Sequence, residues 1–216
     1  MLKSKKHVFW EALIITMVIF LMGLFLGMLI ETSNSSKISN LYLQSEISLT
    51  DAMAASRLTE EFDFDCDSIK QSNINFADRV YMEAKLLEDY EESGKLTDNM
   101  ILLHKKYDLL RTLLWTSNQN SLERCNNYNL LVYLYEYESE NVTKKATQNV
   151  WSKIMLDVKN QNEDILLLPI ATDQNLTSLN LLISEHNITQ FPVLIINNNQ
   201  ILYTLEGVTS IEKFLS

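Results

Sequence analysis

Residues 12–30 run nineteen positions without a charged side chain, and only Thr16, Gly23 and Gly27 interrupt the apolar stretch. A helix of that length spans roughly 28 Å, close to the thickness of a bilayer's hydrocarbon core. A buried core helix rarely stays apolar on all faces for so long. A cleaved signal would carry a shorter apolar run and a small-x-small site, whereas here Ile30 and Glu31 follow directly. The segment therefore reads as a retained anchor. Lys3, Lys5 and Lys6 precede it, and Glu31 is the nearest charge after it. The positive-inside bias predicts a cytoplasmic tail over 1–8, one transmembrane helix over 9–30, and an extracytoplasmic remainder on a single-pass protein of the cell membrane. Trp10 falls where an interfacial aromatic anchor belongs. Gly23 and Gly27 form a small-xxx-small pair that allows close helix packing, so the bilayer is one expected partner and a second copy of the chain another.

Composition narrows what lies beyond the anchor. The formal net charge is −10, and setting aside Lys3, Lys5, Lys6 and Glu11 leaves −12 on the rest of the chain. A surface that acidic repels phosphate backbones, which argues against nucleic acid as a partner. Four glycines and two prolines in 216 residues favour long helices over tight loops.

After the anchor, residues 31–65 read as a partly helical stalk. It begins with the polar spacer Thr32-Ser33-Asn34-Ser35-Ser36 and continues with Leu41, Ser45, Ala52 and Ala55 as inward candidates. Residues 66–127 carry two helical stripes. Phe76, Val80, Ala84, Leu87 and Tyr90 lie on one, and Met100, Leu103, Tyr107, Leu110 and Leu114 on the other. Gly94 sits between them as a cap glycine, which predicts an antiparallel helical hairpin. Cys66 and Cys125 are nearly symmetric about Gly94, so the hairpin places them side by side at its open end. In an oxidising compartment they are expected to form a disulfide. They have no CxxC spacing and no neighbouring cation cluster to activate a thiol.

From residue 128 the periodicity changes. Strands are expected at 130–135, 165–170, 192–196 and 200–205, with helices at 142–160, 179–185 and from 209 or 210. Ala146, Val150, Ile154 and Val158 form the expected inner face of the first helix, and Asn197 to Asn199 the turn of a closing hairpin. The order β-α-β-α-β-β-α requires a parallel first pair, joined by a right-handed crossover, and an antiparallel last pair. The fold class is thus α/β: a mixed four-stranded sheet with helices, preceded by a helical hairpin and a membrane helix.

That element order, together with Phe191-Pro192-Val193-Leu194-Ile195-Ile196 running into a hairpin and Gly207, resembles the thioredoxin fold over residues 128–216. The resemblance implies a cis proline at Pro192, with Phe191 in place of the family's usual small or β-branched residue. It also implies a redox loop between the first strand and the first helix. That loop reads Glu136-Tyr137-Glu138-Ser139-Glu140-Asn141-Val142, with Ser139 and Val142 at the positions the two cysteines would occupy. A serine hydroxyl cannot take part in disulfide exchange. The arrangement of anchor, hairpin and thioredoxin-like unit is also similar to membrane-anchored proteins of small-genome archaea, a likeness that brings no activity with it. The expected function is a redox-inactive, protein-binding or structural module with an unidentified protein partner and no cofactor. Two rival readings stand beside it. One is a thiol–disulfide exchange enzyme using Cys66 and Cys125. The other is an anchored subunit of an envelope or secretion complex.

Other constellations carry less. His7, His104 and His186 have no metal-ligand spacing, and no Gly-rich phosphate loop or nucleophile elbow occurs. Glu138 and Glu140 read as a solvated acidic loop. Asn34, Asn141, Asn175 and Asn187 each open an N-x-S/T sequon, which makes them candidate glycan acceptors on an outer domain. Tyr133, Tyr135 and Tyr137 alternate onto one face, as a contact surface or as packing against a helix, with Tyr128 upstream.

Overall fold

The computed structural model describes residues 5–92 and 98–215, without the side chains of 5–7, 31–38, 60, 89–92, 98–99 and 120. The expected cap Gly94 and the side chains of His7, Asn34 and Tyr90 lie outside this set. The chain divides into two compact units, residues 1–44 and 45–216.

Helix α1 spans Lys5–Glu61 without interruption. The polar run at 32–36, expected as a spacer, does not break it. No glycine or proline occurs between Gly27 and Gly94, so serine, threonine and asparagine only weaken the helix locally. Within α1, the segment Val8–Ile30 is long and apolar enough to cross a membrane, and its side chains are exposed throughout.

In the second unit, the last turns of α1 pack on α2 (Cys66–Glu92) and α3 (Asp98–Arg124). Ser45 and Ser48 are buried there, Glu46 pairs with Lys106, and Asp51 pairs with Arg79 at 3.5 Å. Asp65 starts α2: its carboxylate accepts from the Ser68 backbone N–H at 2.9 Å and from the Ser68 hydroxyl at 2.6 Å. Those bonds hold the carboxyl below its ordinary range. Both predicted hairpin stripes are buried, from Phe76 to Leu87 and from Met100 to Leu114. Cys66 and Cys125 are disulfide-bonded at the open end, with Cα atoms 5.4 Å apart.

The sheet follows: β1 (Asn129–Tyr135), β2 (Ile165–Ala171), β3 (Val193–Ile196) and β4 (Gln200–Leu202), in the order β2-β1-β3-β4. β1 and β2 are parallel, and β3 is antiparallel to both β1 and β4. Pro169 has no N–H to donate, which suits β2 to the edge it occupies. Asn197 and Asn198 turn β3 into β4 with positive φ angles of 49° and 59°. The Asn197 side chain also accepts from Leu130 N at 2.7 Å, tying the turn back to β1.

Helices α4 (Val142–Gln161) and α6 (Thr209–Glu212) cover one face of the sheet, sharing a core with Leu131, Tyr133, Leu194 and Ile196. On the other face Leu130, Val132, Leu134, Leu166, Leu168 and Ile170 are fully buried. There α3 lies against β1 and β2, α2 against β2, and α5 (Thr177–Glu185) against α3. The hairpin is therefore a layer of the α/β core. The boundary expected at residue 128 marks a change of periodicity inside one unit. Trp115 joins the layers, donating to Asn198 at 2.8 Å and stacking on His186 at 5.3 Å.

The inner face of α4 differs from expectation. Ala146 and Val150 are exposed, and Gln148, Trp151, Met155 and Val158 point inward. The reason is Gln148. Its Oε1 accepts from Glu136 N at 3.0 Å, and its Nε2 donates to Glu136 O at 2.8 Å. A buried polar residue that satisfies two backbone groups turns the helix by about one residue.

Two outcomes follow. Replacing Cys66 and Cys125 by serine opens a loop of 59 residues and is expected to cost ~4 kcal/mol in chemical denaturation. Gln148→Ala strands the Glu136 N–H and C=O and is expected to cost about 2 kcal/mol in the same assay, more than Val150→Ala on the exposed side.

Candidate functional site

The C-terminal ends of β1 and β2 and the start of β3 meet at one end of the sheet. In the β1–β3 register Leu134 faces Val193, so Pro192 falls beside Tyr135. The Phe191–Pro192 peptide bond is cis. The loop from Glu136 to Asn141 is held firmly here. Glu138 N donates to Asp173 Oδ2 at 2.7 Å, and Thr172 N and Oγ1 both donate to Tyr135 O. Lys144 pairs with Glu136 at 2.8 Å, and that bond keeps the Glu136 carboxyl below its ordinary range. Asn141 caps α4 by accepting from Lys144 N at 3.1 Å, which makes Val142 the first helical residue. Ser139 is buried, whereas Val142 is exposed. This loop holds no thiol, and its glutamates are tied into structure or solvated.

Both cysteines lie elsewhere. Cys125 precedes the N-terminal end of β1, so the disulfide sits beyond the end of the sheet opposite Pro192. The seven residues of β1 put roughly 20 Å of extended chain between them. The other predicted residues are scattered. Gly23 and Gly27 are on the apolar segment of α1, where an added Cβ at either position would meet nothing within 4 Å. Asn141, Asn175 and Asn187 are exposed, the last two with positive φ. No group of three or more potential metal ligands occurs among the described residues.

A cleft that sequence reading did not find opens beside the loop. It lies along the free edge of β2, between the α2–α3 hairpin and α4, and encloses about 490 Å³. Tyr133, Tyr135 and Tyr137 line it, so the tyrosine face read from alternation is the wall of a cavity. Tyr133 and Tyr135 stack at 5.3 Å, and the Tyr133 hydroxyl donates to Gln148 O at 3.1 Å. Tyr137 leans on His104 with ring centroids 5.0 Å apart. Lys85, Lys145 and Lys153 reach the cleft from α2 and α4.

At the hairpin side of the cleft is a buried ion pair. Asp108 Oδ1 accepts from Arg111 Nη1 at 3.2 Å and from Ala171 N at 3.2 Å, linking α3 to the end of β2. Both side chains are less than a tenth exposed. Burial pushes the Asp108 carboxyl up to about 6, against the opposing pull of Arg111 and the Ala171 N–H. Burial likewise pushes the Tyr135 phenol above its ordinary range, so it stays a proton donor. In the sequence Asp108 and Arg111 look like ordinary exposed helix charges. The only hint was their position one and four residues after Tyr107, on the margin of the apolar stripe.

No family model matches this chain, and no curated protein or solved structure matches it.

The ion pair carries a pH signature. Between about pH 4 and 6 the native state retains a proton on Asp108 that the unfolded chain has released. This group's contribution to stability therefore falls as pH rises through that window, by up to about 3 kcal/mol. Asp108→Asn keeps an acceptor for Ala171 N and should lack this component. Subtracting its pH–stability curve from that of the native chain isolates it.

Proposed function

We propose that this chain is a membrane-tethered binding module whose α/β unit has a thioredoxin-like fold and performs no thiol–disulfide exchange. The strand order, the antiparallel third strand and the cis bond at Pro192 support the fold reading. The apolar segment Val8–Ile30 supports the tether. The tail lysines favour a cytoplasmic N-terminus with the second unit on the outer face of the cell membrane.

One observation carries the redox reading: the two cysteines of the sequence are bonded to each other at the far end of the sheet from Pro192. Exchange chemistry needs a free thiolate to attack a disulfide sulfur. The loop beside Pro192 offers Ser139, and Cys125 is buried within the hairpin end. A scaffold without reactive sulfur still presents concave surface for binding, and here the cleft walled by tyrosines adjoins the same loop.

The test is insulin reduction by the full chain in nanodiscs with dithiothreitol as electron source. Turnover should match the uncatalysed rate, and Cys66→Ala should leave it unchanged. Catalysed turnover that Cys66→Ala abolishes would overturn the proposal and reinstate an exchange enzyme.

A further inference from the structure

The cleft at the β2 edge departs from the charge of the rest of the chain. The protein as a whole carries −10, yet four cationic side chains, Lys85, Arg111, Lys145 and Lys153, line this cavity against three carboxylates. Two of those carboxylates are already occupied. Asp108 is bound to Arg111 at 3.2 Å, and Glu136 to Lys144 at 2.8 Å. Glu88 is the third. Lys85, Lys145 and Lys153 form no ion pair among the described residues. The lining thus carries one cation more than it has carboxylates, and three exposed ammonium groups stand at its rim, a local positive excess on an acidic chain.

Inside that ring the wall is aromatic. Tyr133 and Tyr135 present stacked rings, and Tyr137 and His104 close one side. Tyr135 adds a second signal. Its hydroxyl makes no hydrogen bond among the described residues, although its surroundings hold it protonated. A phenol that donates no hydrogen bond, though Asp108 and Glu88 lie near it, leaves an unfilled donor on the cleft wall. The volume of about 490 Å³ lies in the range of small-ligand sites.

We infer that this cleft binds an organic carboxylate with an apolar or aromatic body, the body lying on the tyrosine wall and the carboxylate meeting Lys85, Lys145, Lys153 and the Tyr135 hydroxyl. Charge complementarity and the unfilled donor select the anion, and the stacked rings select the body. A free aromatic acid and the C-terminal residue of a peptide share this chemistry. The inference deepens the binding-module reading and rests on it.

The experiment uses the full chain in nanodiscs of phosphatidylcholine, with empty nanodiscs as blank. Binding is read by saturation-transfer NMR and calorimetry. Two matched pairs serve as probes: indole-3-acetate against indole-3-acetamide, and acetyl-Leu-Phe against its C-terminal amide. In at least one pair the carboxylate should bind about five-fold or more tighter than its neutral partner. The pair that shows this identifies the source as free acid or peptide end. Lys85→Gln/Lys145→Gln/Lys153→Gln should weaken the carboxylate about five-fold while leaving the neutral partner within about two-fold. Tyr135→Phe should weaken the carboxylate alone, and Lys213→Gln, outside the cleft, should change nothing. Equal binding of carboxylate and amide in both pairs would overturn the inference. So would an unaltered triple variant, or no saturable binding up to about 10 mM. Failure here with no insulin reduction removes only the ligand class, whereas catalysed insulin reduction removes the binding-module reading itself.

Discussion

A sheet with apolar side chains on both faces needs cover on both, and its four strands come with too little helix to supply it. Helices α4 and α6 account for one face. The other carries Leu130, Val132, Leu134, Leu166, Leu168 and Ile170, all fully buried. At roughly 1.5–3 kcal/mol for each such side chain, leaving that face open would cost about as much as a domain's whole net stability. Helix α5, nine residues long, is too short to cover it. The hairpin does so instead, with α3 against β1 and β2 and α2 against β2. The rest of the second unit depends on this docking.

The docking also explains why so many polar contacts cross between hairpin and sheet. Trp115 bonds Asn198, Asp108 bonds Ala171 N, and Tyr128 donates to Asn118, which also accepts from Asn73 at 2.7 Å. Such bonds add modest net stability, but they penalise any sliding of the helices that would strand a buried donor. At the rim Lys70 reaches Asp164 at 2.9 Å and Lys159 reaches Asp78 at 3.3 Å, exposed pairs of small energetic weight. The disulfide fixes the hairpin's open end, next to the entry into β1, and so holds α3 where the sheet needs it. On this account the sulfur is structural, in keeping with the proposed lack of exchange chemistry.

The cleft is a by-product of the same docking. The hairpin and α4 lie on opposite faces and both extend past the edge strand β2. Pro169 keeps that edge from pairing with a further strand. What remains between the helices is a cavity walled by β1's tyrosines and rimmed by lysines from two elements far apart in sequence. A cavity placed where layers meet is held by the core, so its geometry does not rely on a mobile loop.

Much of this was legible from local pattern. The apolar run of α1, the stripes of α2 and α3, the order of strands and helices along the chain and the asparagine turn follow from periodicity and from the φ preferences of single residues, which act within a few positions. The pairing of Cys66 with Cys125 was also readable, because a hairpin turns sequence symmetry into proximity. Three things were not. The inner face of α4 depends on Gln148 bonding to Glu136, a contact that hydrophobic pattern alone does not predict. The buried pair of Asp108 and Arg111 looks like surface charge until Ala171 arrives from 63 residues away. The cleft gathers Lys85, Tyr135 and Lys153 only once the hairpin has docked. The sequence by itself therefore determined the elements and their order, because those are set by short-range sterics and amphipathic period. Tertiary structure alone decided which charges are buried and which converge, because burial and convergence are properties of surfaces meeting, and no segment carries them in isolation.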